Sequence, residues 1–112
     1  MMYASKLKSE QMDLLMRAML SLETEEEAYR FFEDLCTIAE MKSMAQRLEV
    51  AMLLHEKLTY HDIALQTGAS TATVSRVNRA LTYGAEGYST VLAKLTGEAG
   101  NGATQENEGQ KD

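Results

Sequence analysis

The segment Thr59–Leu81, TYHDIALQTGASTATVSRVNRAL, constrains the fold more than any other part of the chain. It spells two short amphipathic helices, about Tyr60–Gln66 and Thr71–Thr82, with Gly68 between them. Gly68 can adopt the positive φ of a tight inter-helix turn. Ser70 is placed to accept the N-cap hydrogen bond of the second helix. Ala64 is small enough for that helix to cross close over the first, and Ile63, Val74 and Val77 fall on the inward faces. Ser70, Thr71, Ala72, Ser75, Arg76 and Arg79 then face outward. A helix-turn-helix of this kind presents such residues to base edges and phosphates in a DNA groove. An ordinary αα-hairpin inside a helical bundle uses glycine and valine in the same way, so the spacing alone leaves both arrangements open.

The rest of the chain is consistent with an all-α fold of about six helices. No proline occurs in 112 residues, and Leu, Met, Ala and Glu are abundant, all strong helix formers. Met12, Leu15, Met16, Met19 and Leu20 recur at helical spacing, which predicts a helix over about Ser9–Leu22. Thr24-Glu25-Glu26-Glu27 is a capping box ahead of Ala28, Phe31, Phe32 and Leu35 on one stripe. Thr37-Ile38-Ala39-Glu40 repeats that pattern and opens a long helix to about Glu56. Its apolar residues cover most of the circumference, which predicts burial on several sides. In so short a chain that favours a partner protomer, hence a homodimer. Thr59 with Asp62 opens the first helix of the motif, and Gly84 is placed for a left-handed C-cap after the second. Gly87 and Tyr88 are expected in a loop before a final helix, Ser89–Leu95. Residues 1–96 are expected to form one domain. From Gly97 the chain is polar and acidic and is expected to be a disordered tail, residues 97–112.

Charge is segregated along the chain. The net charge is −6, with −5 in residues 1–56, +2 in residues 57–97 and −3 in residues 98–112. Gly68–Ala85 carries Arg76 and Arg79 and no acid. The local field governs docking more than the total does. Two arginines are still a weak footprint for a lone protomer, and a dimer doubles the phosphate contacts.

Other chemistries find little support. Val50–Leu54 is the longest apolar run, too short to span a membrane, and a cytoplasmic location is the expectation. Cys36 is expected as a buried small hydrophobe. His55 and His61 straddle a helix break with no Cys or carboxylate cluster, so a metal site is not indicated. His61 is placed on the first helix of the motif, where it can touch a phosphate. No nucleophile has an evident base partner, so no enzyme and no cofactor is expected.

Sequence readout would fall to Thr71, Ala72 and Ser75, which are short and cannot make the bidentate contacts of Arg or Asn, with Thr73 counted beside them among the expected DNA-binding residues. Water bridges, groove shape and the pairing of two half-sites then carry specificity.

The stretch Gly68-Ala69-Ser70-Thr71-Ala72-Thr73-Val74-Ser75-Arg76 resembles the turn and recognition helix of the trp repressor. Tyr60, Ile63, Thr67, Val77-Asn78-Arg79, Leu81, Tyr83-Gly84 and Gly87-Tyr88 extend the likeness. Over about residues 10–95 the chain looks most like the small bacterial YerC/YecD group of trp-repressor-related proteins. The resemblance implies an intertwined, all-helical homodimer with one reading head per protomer. It also implies a place for the corepressor tryptophan, held between an arginine of the long helix and one of the recognition helix. Arg76 matches the second arginine, and the first falls at Gln46 or Arg47. A family glycine is Val77 here, and a serine that meets the ligand's amino group is Ala80. Added bulk and a lost hydroxyl predict that free tryptophan is not bound tightly.

The expected function is therefore a dimeric, sequence-specific regulator on double-stranded DNA, most simply a repressor without tryptophan as corepressor. A helical protein-interaction module without DNA binding, or a regulator sensing a different small effector, is the alternative.

Overall fold

The computed structural model describes residues 3–97, which form six α-helices and no strands. They are α1 (Glu10–Leu20), α2 (Glu25–Leu35), α3 (Ile38–His55), α4 (Tyr60–Thr67), α5 (Thr71–Tyr83) and α6 (Gly87–Thr96). The expected acidic tail, apart from Gly97, lies outside the described residues.

Local chemistry sets most of the helix starts. Side-chain oxygens of Ser9, Thr24, Thr59 and Ser70 each accept the backbone N–H three residues on. Such caps satisfy donors that a helix cannot satisfy internally. Thr37 and Glu40 form a reciprocal box, with Glu40 N–H donating to Thr37 Oγ1 at 3.0 Å and Thr37 N–H donating to Glu40 Oε1 at 2.8 Å. The second box is shifted by one residue: Glu27 reaches back to Glu23 N–H rather than to that of Thr24.

Two compact units divide the chain, residues 1–41 and residues 42–112. In the first, α1 and α2 carry no fully buried residue. Leu14, Met16, Met19, Leu20 and Leu35 are all exposed, as is Ile38 at the start of α3. Cys36, expected buried, is only half-buried, because it stands at the C-cap of α2 in an extended conformation rather than inside a helix.

The second unit holds the core. Val50, Ala51, Ile63, Ala69, Val74, Val77 and Leu92 are buried together, with Leu53, Leu54, Leu58, Leu81 and Tyr88 packed against them. One face of α3 thus meets α4, α5 and α6. The many-sided burial expected of α3 is absent from the protomer: only Val50 and Ala51 are buried, while Met44 and Leu48 are exposed.

α3 ends without glycine. Lys57 takes the left-handed conformation at φ 72°, Leu58 N–H donates to Leu53 O at 3.1 Å, and Lys57 N–H donates to Leu54 O at 3.0 Å. That pattern is a Schellman motif with lysine at the position glycine usually fills.

Two expectations at the end of α5 are corrected. Gly84 is not left-handed, since its φ is −85° and ψ −152°. Its lack of a side chain matters for space instead, because a Cβ there would lie 2.4 Å from Ala80 O. Gly87 and Tyr88 are not a loop but the first residues of α6. The left-handed Glu86, φ 69°, turns the chain early, so Tyr88 packs on the core and the helix starts before it.

Candidate nucleic-acid interface

The turn between α4 and α5 is fixed by bonds that its own sequence supplies. Gly68 adopts φ 75° and ψ 5°, and its N–H donates to Ala64 O at 2.9 Å. A non-glycine residue held left-handed costs about 1–2 kcal/mol, which is why glycine suits this position. Thr67 Oγ1 donates to Ile63 O at 2.7 Å and accepts Ala69 N–H at 3.1 Å. Ala69 then drops into the core, and Ser70 caps α5. Ile63, Val74 and Val77 are buried between the helices as their spacing requires, and Ala64 is half-buried beside them.

This frame sorts the outward residues. Thr71, Ala72, Ser75, Arg76 and Arg79 are exposed along α5, and His61 is exposed on α4. Ser70 is exposed too, but its hydroxyl is engaged: it accepts Thr73 N–H and donates to Thr73 Oγ1, both at 3.1 Å. Thr73 is half-buried in that cap. Ser70 and Thr73 therefore serve the start of α5 before they can serve anything outside.

The arginines differ in partner and setting: Arg17, like the two on α5, has no partner among the described residues, but it stands on α1 with Glu10 and Asp13. Arg30 pairs with Glu26 at 2.9 Å, and Arg47 Nη1 donates to Ser43 Oγ at 2.8 Å. Arg76 and Arg79 have no hydrogen-bond or ion-pair partner among the described residues. They stand on a helix without a single acidic residue.

The residues matched to an effector site are placed differently. Gln46 is half-buried, and its Nε2 donates to Thr67 O at 3.2 Å. Arg47 is half-buried and held along α3 by Ser43. Val77 is buried in the core, Ala80 is half-buried, and Arg76 is exposed. The sequence alone does not reveal the bond from Gln46 to the turn. Gln46 and Val50 lie four apart on one face of α3, so spacing puts Gln46 on the core-facing side but does not identify its partner.

Among the described residues, no group of three or more His, Cys, Asp or Glu side chains is placed to hold a metal ion. No described helix is long and apolar enough to cross a membrane.

Six helices, two of them joined by a glycine turn with the second laid open to solvent, define an all-α helix-turn-helix protein. A model of the Trp repressor protein family matches residues 10–96. YerC of Bacillus subtilis (strain 168), itself uncharacterised, is 53% identical over 94 residues, covering 84% of this chain and 90% of YerC. A TrpR-like protein from Eubacterium eligens ATCC 27750 is 56% identical with a TM-score of 0.78, covering 81% of this chain and 94% of its own. A Staphylococcus aureus protein described as a candidate Trp repressor is 44% identical with a TM-score of 0.79, covering 86% and 96%. The chain belongs to the Trp repressor family.

Proposed function

We propose that this protein is a cytoplasmic transcription regulator that binds double-stranded DNA sequence-specifically as a homodimer, acting as a repressor without tryptophan as corepressor. The observation that carries the proposal is the acid-free, exposed face of α5, with Arg76 and Arg79 unpaired on a helix whose angle is fixed by the buried Ile63, Val74 and Val77. Membership of the Trp repressor family supports it. Arg76 and Arg79 supply phosphate contacts, joined by His61, while Thr71, Ala72 and Ser75 lie against base edges. Ser70 and Thr73 hold the start of the helix at that surface.

The apolar side chains that one protomer leaves exposed support the homodimer. Leu20 is 85% exposed and Ile38 76%, and α1 and α2 bury nothing completely. Large apolar side chains left this exposed suit an association surface. A second copy is the partner the resemblance implies.

Tryptophan is disfavoured because its matched positions are already in use. Val77 fills core space, Ala80 lacks a hydroxyl, and the amide of Gln46 is bonded to the turn. An unpaired buried polar group costs about 1–3 kcal/mol, enough to lose a weak ligand. Titration calorimetry should give no micromolar binding of free tryptophan, and such binding would overturn this part.

Charge reversal tests the main proposal. Arg76→Glu with Arg79→Glu should abolish binding to a duplex recovered by genomic capture, while sedimentation still reports a dimer. If the unmodified protein binds no duplex even at low salt, a helical protein-interaction module remains. Leu65 and Tyr83, 72% and 84% exposed on α4 and α5, favour that second reading.

A further inference from the structure

We infer that Gln46 is a positioning residue for α5: by holding the Thr67 carbonyl, its amide sets the angle at which the recognition helix meets DNA. The inference rests on the DNA-binding function proposed above. Thr67 is the last residue of α4, and a helix leaves its final carbonyls without internal partners. Gln46 Nε2 supplies a donor to the last of them, at 3.2 Å. The bond joins residues 21 apart, where the caps and turn bonds described above span two to five.

Its position gives it leverage. One turn further along the same face of α3, Val50 is fully buried against the hairpin core. That apolar contact holds α3 and the hairpin together but is non-directional, so it fixes distance better than rotation. The Gln46 bond is directional and acts at the turn itself. Within the turn, Ala69 N–H is already tied to Thr67 Oγ1 and Gly68 N–H to the Ala64 carbonyl. Pinning the Thr67 carbonyl therefore pins the whole turn, and Ser70 starts α5 immediately after it.

The test uses the full-length protein and a short duplex recovered by genomic capture. Gln46→Leu keeps the bulk and deletes the donor. Circular dichroism should report unchanged helicity. The Gly68, Ala69 and Ser70 amides should exchange faster, and the duplex should bind about tenfold more weakly, the effect of losing one half-buried hydrogen bond. The salt dependence of binding should stay unchanged, because Arg76 and Arg79 still reach phosphate.

Gln46→Glu adds a readout that simple loss of packing would not move. Its carboxylate would face a carbonyl oxygen, whereas the protonated acid can donate as glutamine does. Its deficit relative to the unmodified protein should therefore shrink as the pH falls from about 7.5 toward about 5, since half-burial against a carbonyl raises a carboxyl pKa. The Gln46→Leu deficit should not. On the unmodified protein, the Gln46 side-chain amide protons should exchange slowly with solvent.

Unchanged affinity and unchanged turn exchange in Gln46→Leu would overturn the inference. So would a Gln46→Glu deficit that ignores pH, or fast exchange of the Gln46 amide. If the unmodified protein binds no duplex, the DNA-binding function fails first. The exchange measurements then still decide whether Gln46 holds the turn.

Discussion

Replacing Gly84 with alanine sets a methyl carbon against the backbone that closes α5. The ideal Cβ falls 2.4 Å from Ala80 O, 3.1 Å from Ala80 C and 3.2 Å from Ala80 Cα. No side chain can rotate away, because all three atoms belong to the main chain. Real Cβ contacts stay above 3.0 Å, so the turn must open by about 0.6 Å. The same oxygen accepts Gly84 N–H at 2.9 Å, so relieving the clash stretches that bond. Overpacking of this kind costs about 1–3 kcal/mol. Alanine returns about 0.4–1 kcal/mol by restricting the unfolded chain. The net loss is about 1–2 kcal/mol, a fall in Tm of about 5–15 °C for a domain of this size.

Gly68 provides the matched control. A Cβ there meets nothing within 4 Å, so its cost is that of φ 75° alone. Asparagine tolerates the left-handed region better than alanine does. Gly68→Asn should therefore recover part of what Gly68→Ala loses, whereas Gly84→Asn should recover nothing from Gly84→Ala. Thermal unfolding followed by circular dichroism, at one fixed protomer concentration, measures all four variants. Recovery of stability in Gly84→Asn would refute the steric account.

Lys57→Gly should raise stability by about 0.5–1 kcal/mol, because it removes the strain of a left-handed lysine. The urea midpoint should rise with an unchanged m-value. Ser70→Ala should cost about 1 kcal/mol through the lost cap of α5. Ser70→Asp should keep the cap and the Tm yet weaken DNA binding, measured by fluorescence anisotropy, because it adds a negative charge at the same surface. Arg79→Ala should flatten the log–log salt dependence of DNA binding by about 2 per dimer, one phosphate contact per protomer. Ile38→Glu should drive the protein toward monomer in sedimentation, since it charges one of the most exposed apolar positions.

How much was legible in the sequence depended on the range of the interaction. Capping boxes at Thr24 and Thr37, the caps at Thr59 and Ser70 and the turn at Gly68 are contacts between near neighbours, and residue type with spacing reveals them. The inward set Ile63, Val74 and Val77 was equally open to reading, because helical period assigns the faces. Gly84 was misread because glycine satisfies either a positive φ or a close approach, and only the position of Ala80 O separates the two. Lys57 escaped notice because nothing in its side chain favours a left-handed backbone. The six-residue closure from Leu58 to Leu53 imposes it. Gln46 was placed as a site residue by resemblance, but its bond to Thr67 depends on a tertiary approach that spacing along one helix cannot supply.

The arginines connect the fold to the proposed function. A helix-turn-helix held by Ile63, Val74 and Val77 would be equally stable with neutral residues at 76 and 79, because neither arginine has a partner within the described residues. Arg30 and Arg47, by contrast, are each tied to a neighbour on their own helix. Stability alone therefore gives no reason for two guanidinium groups on the exposed face of a helix that lacks acid. An external anion does. A single pair gives few phosphate contacts, so useful affinity at physiological salt calls for two such helices on one duplex. The exposed apolar side chains of α1, of α2 and of α3 offer the means to join them. Dimerisation and DNA binding are then one requirement, and a variant that separates the protomers should lose DNA affinity even with every residue of α5 intact.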